Sequence, residues 1–233
     1  DADNPASGSS YDDKSVTISS EALGTLKFSG HGGSSATSAV DATAAGNVYD
    51  NFDGVAGAAG NGLTSAGVAL SAAGAGNNNF YYTLPSMVDG LTVNASLNTA
   101  GATGNNALGF NATYAGVEGL SVTYAVADIE TGATTTSGDQ TVMNASYAYG
   151  PVTVAYTNSD YSTGAANTRA LAQEVSSYAV SYTVSDAISV TYGTETIESG
   201  LSTEVTDAEY ESISVSYTAG GMTISVSSQD AEN

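Results

Sequence analysis

Residues 111–124 read NATYAGVEGLSVTY, residues 144–156 read NASYAYGPVTVAY, residues 179–192 read AVSYTVSDAISVTY and residues 214–226 read SVSYTAGGMTISV. Each stretch is an alternating segment, a short turn and a second alternating segment. Tyr114, Tyr147, Tyr182 and Tyr217 close the first segments, at spacings of 33, 35 and 35 residues. One hairpin per period is the layout of an up-and-down β-barrel. A Tyr at the same end of every hairpin suits a membrane–water interface, where the ring sits half apolar and half wet. The four tyrosines are therefore read as an aromatic girdle; the competing role is the core of a soluble sandwich.

Working outward, the alternation continues over most of the chain. Expected strand pairs are Ser15–Ser20 with Leu23–Ser29, Asn79–Leu84 with Leu91–Asn98, and Ala107–Tyr114 with Leu120–Ala127. Then follow Thr141–Tyr149 with Val152–Ser159, Val175–Val184 with Ile188–Thr196, and Glu209–Tyr217 with Met222–Ser228. Leu120, Val122, Tyr124 and Val126 alternate with Ser121, Thr123 and Ala125, and the later segments repeat this. One face is apolar and the other is Ser, Thr, Ala or Asn. In a sandwich the apolar faces meet each other; in a membrane barrel they meet lipid while the small polar face lines water. Slender inward residues imply a wide lumen. The connections alternate too. Those marked by Gly150-Pro151 and Gly220-Gly221 are short, while Ile129–Gln140, Asp160–Glu174 and Thr196–Ala208 are long and polar. The expected fold is all-β, an antiparallel up-and-down transmembrane β-barrel with about a dozen visible strands. It is one domain over 1–233, with an inward-folding constriction loop at about 30–76, where alternation gives way to Gly and Ala.

Composition narrows the function. The chain is 41% hydrophobic, yet it has no apolar run near the ~18 residues of a transmembrane helix. A barrel strand needs only about 9–11 residues and shows lipid one side only, so alternation is its signal. Asp and Glu number 24 against Lys14, Lys27 and Arg169, for a formal net charge of −21. So few cations exclude a nucleic-acid partner, and the balance favours cations near or within the protein. Acidity alone also suits solubility or a high-salt habitat. With no Cys there is no disulfide framework or thiolate metal site. His31 is the single histidine, beside Gly32-Gly33, and reads as an exposed loop residue rather than a metal ligand. No metal site and no cofactor is expected. Loosely held Ca²⁺ is compatible with the acids at Asp1, Asp3, Asp12, Asp13 and Glu204–Glu211, none of which has EF-hand spacing. No Walker loop, dinucleotide fingerprint or Ser–His–Asp set is present, so no enzyme is expected.

Four stretches together resemble the Gram-negative general-diffusion porins, of the alphaproteobacterial type. They are ALGTLKFSG at Ala22–Gly30, NNNFYYTLPSMVDGLTVNASL at Asn77–Leu97, ASYAYGPVTVAY at 145–156 and SVSYTAGGMTISV at 214–226. The resemblance covers most of the chain. It implies a barrel of about sixteen strands, a homotrimer in the bacterial outer membrane, and a long loop folded inward to narrow the bore for small hydrophilic solutes and ions. The matching loop carries Asp41, Asp50 and Asp53, the last two within NVYDNFDGV at 47–55. These acids are the candidate pore constriction, set to favour cations as carboxylate rings do; the alternative is solvated loop carboxylates in Asx-turn roles. Lys27, between Leu26 and Phe28, points inward by alternation and is their candidate partner. Three cations cannot build the arginine ladder usual in the family. Residues 1–14 and 229–233 read as loops, so the end strands of a closed barrel are expected outside this sequence. The rival reading is a secreted or surface-layer β protein, structural or adhesive, with acidic loops.

Overall fold

The computed structural model describes residues 14–40, 42–52, 77–99, 106–130, 137–163, 173–199 and 207–232. Twelve strands make one sheet in which every neighbour is the next strand in the chain, all pairs antiparallel. They are β1 Ser15–Ser20, β2 Gly24–Ser29, β3 Asn79–Thr83, β4 Leu91–Thr99, β5 Asn106–Tyr114 and β6 Leu120–Glu130. β7 Gly138–Tyr149, β8 Val152–Thr163, β9 Gln173–Ser185, β10 Ile188–Ser199, β11 Ala208–Ala219 and β12 Met222–Glu232 complete the meander. Within the described residues β1 and β12 do not pair with each other, so the sheet is an open arc of a barrel.

Strict up-and-down order puts every short turn at one end of the sheet. Main-chain bonds stitch these turns together. Ala115 N donates to Gly90 O at 2.7 Å, and Ala148 N to Gly119 O at 2.8 Å. Thr183 N donates to Pro151 O, and Thr218 N to Ala187 O, each at 2.8 Å. The tightest turn is Gly220-Gly221, with φ of 58° and 81°. Positive φ at both central residues is what a two-residue hairpin of this twist requires, and glycine adopts it without a Cβ clash.

The two faces separate as the alternation predicts. Val154, Val180, Tyr192 and Ile213 run side by side across β8–β11 and are all exposed. Tyr114, Tyr147, Tyr182 and Tyr217 lie on this outer face beside the short turns, 38–48% exposed. Tyr156 and Tyr178 form a tilted pair there, ring centres 4.9 Å apart. No second described layer covers this face, which removes the sandwich arrangement. On the other face Asn111, Thr123, Ala125, Thr157, Ser159 and Ser177 are buried.

Two expectations need correction. The inner face is not only small and polar: Val142, Val175, Ile197 and Tyr210 also point inward, and all are buried. They lie where a segment of the long β2–β3 connection covers the wall, so their apolar area leaves water as a core residue's would. The strands also run further than periodicity suggested. β6 reaches Glu130, β8 Thr163, β10 Ser199 and β12 Glu232, so Gln229–Glu232 is strand rather than loop. At these ends the outer face itself becomes polar or acidic, through Asp128, Asp160, Glu198 and Asp230. Hydrophobic alternation therefore fades while main-chain pairing continues.

Candidate functional site

The described parts of the β2–β3 connection, 30–40 and 42–52, lie against the inner face. A 3₁₀ helix at Ala36–Ala39 packs on β4–β7, and a second at Val48–Phe52 packs on β10–β12. The segment thus crosses from one side of the inner wall to the other. Its sequence explains the irregular backbone. Gly46 and Asn47 adopt φ of 93° and 56°, and Thr43 caps the turn by accepting from Gly46 N and Asn47 N at 3.1 and 2.7 Å.

Two anchors hold the segment. At the first, Ser96 Oγ accepts from Ala36 N at 2.8 Å, while Asn111 Nδ2 donates to Ala36 O at 2.7 Å. Asn94 Nδ2 donates to Asn111 Oδ1 at 2.7 Å, fixing which way that amide points. Val40 adds apolar contact with Ala125 and Val142. At the second anchor, Glu195 lies on the inner face of β10 with none of its surface exposed. Its Oε2 accepts from Tyr49 N at 3.0 Å and its Oε1 accepts from the Thr43 hydroxyl. Beside it Ser177 Oγ accepts from Ala45 N at 3.0 Å and donates to Thr194 O at 2.8 Å. Val48 and Tyr49 then pack with Val175, Ile197, Ala208 and Tyr210, and Phe52 stacks at an angle on Tyr210 with ring centres 5.6 Å apart.

The sequence-predicted residues fall as follows. Lys27 pairs with Tyr81, which pairs with the inward Ser96, so Lys27 shares the inner face. It borders a recess of about 390 Å³ between the wall and the segment, with Ser29, Ser34, Ser35, Ser38 and Tyr81. Asp50 falls on the second 3₁₀ helix; Asp41, Asp53 and Arg169 lie outside the described residues, as do Asp1, Asp3, Asp12, Asp13 and Glu204. Among the described residues no group of three His, Cys, Asp or Glu is arranged to hold a metal. Sequence reasoning did not single out Glu195, Ser96, Asn111 or Ser177. One signal was present: Gly193 and Glu195 interrupt the alternation of β10 at two consecutive inward positions, and a lone strand glycine marks close backbone approach.

Outward acids form a separate pattern. Along each long strand the outer face stays free of carboxylates for about eight to eleven residues from the short turn. It then presents Asp128, Asp139, Asp160, Glu174, Glu198, Glu209 or Asp230. At a rise of ~3.3 Å per residue and a tilt of ~40°, that interval is about 20–28 Å, the height of the apolar band of an outer-membrane barrel.

No protein-family model matches the chain, and no curated protein does. Solved structures do match. A porin refined at 1.8 Å resolution is 16% identical with a TM-score of 0.58, over 94% of this chain and 76% of that one. The anion-selective porin from Comamonas acidovorans is 17% identical with a TM-score of 0.60, over 100% of this chain and 71% of that one. The outer-membrane expressed OmpT of Vibrio cholerae is 14% identical with a TM-score of 0.56, over 90% and 67%. At such identities the fold is what is shared: the chain has the antiparallel up-and-down β-barrel architecture of porins.

Proposed function

We propose that this protein is a passive outer-membrane channel for small hydrophilic solutes, non-enzymatic and cation-preferring. One observation carries the reading, the inversion of polarity. The apolar face with its tyrosines is outermost, the polar face is innermost, and the segment packed on that inner face crosses it. An inside-out β protein of this kind is stable only where lipid or detergent covers the outside and water the inside. The Gram-negative outer membrane is the compartment that houses such barrels, and the fold likeness to porins supports it.

Cation preference rests on charge. The porin from Comamonas acidovorans is anion-selective on the same fold, so the fold leaves the sign of selectivity open. Here a net charge of −21 with three cationic side chains makes the water-filled space electronegative. Asp41, Asp50 and Asp53, in the crossing segment or its continuation, are the proposed constriction acids, with Lys27 as the counter-charge on the wall. The homotrimer and the alphaproteobacterial type follow from the sequence resemblance. The test is reversal potential in a planar bilayer under a KCl gradient. Cation-selective current supports the reading, anion-selective current removes the charge argument, and absence of current removes the channel.

A further inference from the structure

We propose that Glu195, seated between two wall glycines, is the positioning residue that holds the crossing segment down and so sets the width of the bore. The bore part of this proposal rests on the channel reading above; the docking part does not. Three observations converge on it. Glu195 is the one inward carboxylate of β10, fully buried, and both its oxygens are taken by the segment, through the Thr43 hydroxyl and the Tyr49 amide. Each anchor also sits over a glycine. A methyl group added at Gly193 would come within 2.6 Å of Ala45 Cβ and 2.9 Å of its Cα. One added at Gly109 would come within 3.2 Å of Ala36 Cβ and 3.0 Å of Ser96 Oγ. The wall is lowered at the two places where the segment's backbone is bonded to it. Finally, the two anchors lie on opposite sides of the inner wall, on β4–β7 and β10–β12, so releasing the second frees one end of the crossing while the first still holds the other.

The chemistry of release is simple. Glu195→Gln keeps the shape but turns one acceptor into a donor, leaving either Tyr49 N or the Thr43 hydroxyl facing an N–H. Loss of a hydrogen bond to a buried group raises the population of the undocked segment about ten-fold. Gly193→Ala acts in the same direction by steric means, and adding Ala45→Gly makes room again. A role confined to general stability would not give that reciprocal rescue.

The experiment is single-channel recording in planar bilayers of the full chain, as unmodified protein, Glu195→Gln, Gly193→Ala and Gly193→Ala/Ala45→Gly. It is paired with hydrogen exchange of the Ala45 and Tyr49 amides in detergent. The expected result is a higher or more fluctuating conductance in the first two variants and recovery in the double variant. Ala45 and Tyr49 exchange should be about ten-fold faster wherever the segment is loosened. Unchanged exchange in both single variants overturns the docking role of Glu195. Faster exchange with unchanged conductance overturns the bore claim alone. A silent unmodified protein overturns the channel reading and the bore claim together, while exchange still decides the docking. Should Glu195→Gln fail to fold, the glycine pair reads the same seat, and failure of Ala45→Gly to restore conductance and exchange overturns it.

Discussion

Replacing Val180 by Arg asks whether the outer face meets lipid. Val180 lies on β9 between Tyr178 and Tyr182, pairs with Val154 and Tyr192, and is 48% exposed. It is five residues from Ser185 at the end of the strand. At ~3.3 Å per residue and a tilt of ~40° it stands about 13 Å above the short-turn rim, near the middle of an apolar band about 25 Å tall. An arginine there costs about 2–4 kcal/mol, because it carries charge into hydrocarbon. Val184, on the same face one residue from Ser185, lies at the edge of the band, where the same change costs about 0–1 kcal/mol. The assay is reversible folding into lipid vesicles along a guanidinium titration, comparing the two variants with the unmodified protein. A large loss for Val180→Arg and a small one for Val184→Arg is the expected pair. Equal, near-zero costs would refute the reasoning, since an exposed site on a water-facing sheet tolerates Arg within about 0.5 kcal/mol.

Cysteines placed in reconstituted protein at Val154, Val215 and Ile224 should resist a water-soluble thiol reagent, while those at Thr153, Ser214 and Ser225 should react; the reverse pattern would exchange the two faces. Asn111→Ala removes the donor to Ala36 O and strands the Asn94 amide, so it should destabilise the folded protein by about 1–3 kcal/mol in the same titration. Ser96→Ala, which removes a single acceptor from Ala36 N, should fall at the lower end of that range. Changing Asp50 and Asp53 together to Asn should reduce cation preference, most at low salt where screening is weakest; an unchanged reversal potential would take both residues out of the selectivity mechanism.

Much of the fold was readable because β alternation has a period of two and the outer face obeys it. Leu120-x-Val122-x-Tyr124 and Ile188-x-Val190-x-Tyr192 put one residue type on one side, and turn chemistry at Gly150-Pro151 and Gly220-Gly221 fixed where the chain reverses. The strand ends were less legible. Near Asp160 and Glu198 both faces are polar, and pairing there is a main-chain matter that no side-chain pattern reports. The candidate site was legible only in part. The position of Lys27 on the inner face follows from parity alone, as its pairing with Tyr81 bears out. The anchors were hidden because they join residues far apart in the chain, Thr43 with Glu195 and Ala36 with Asn111. Nothing local distinguishes an inward Asn that holds a crossing segment from one that merely lines water. Val142, Val175 and Ile197 were misjudged for the same reason: their burial depends on the segment that covers them, not on their own strand.

The claim on which the rest depends is that water crosses the membrane inside this sheet. Purified full chain, folded in detergent and added to a planar bilayer between unequal KCl solutions, tests it most directly. The account predicts stepwise insertions of ohmic conductance that scale with bulk salt, and a reversal potential of the sign set by cation flow. A folded protein that inserts into the bilayer and leaves it insulating would contradict it.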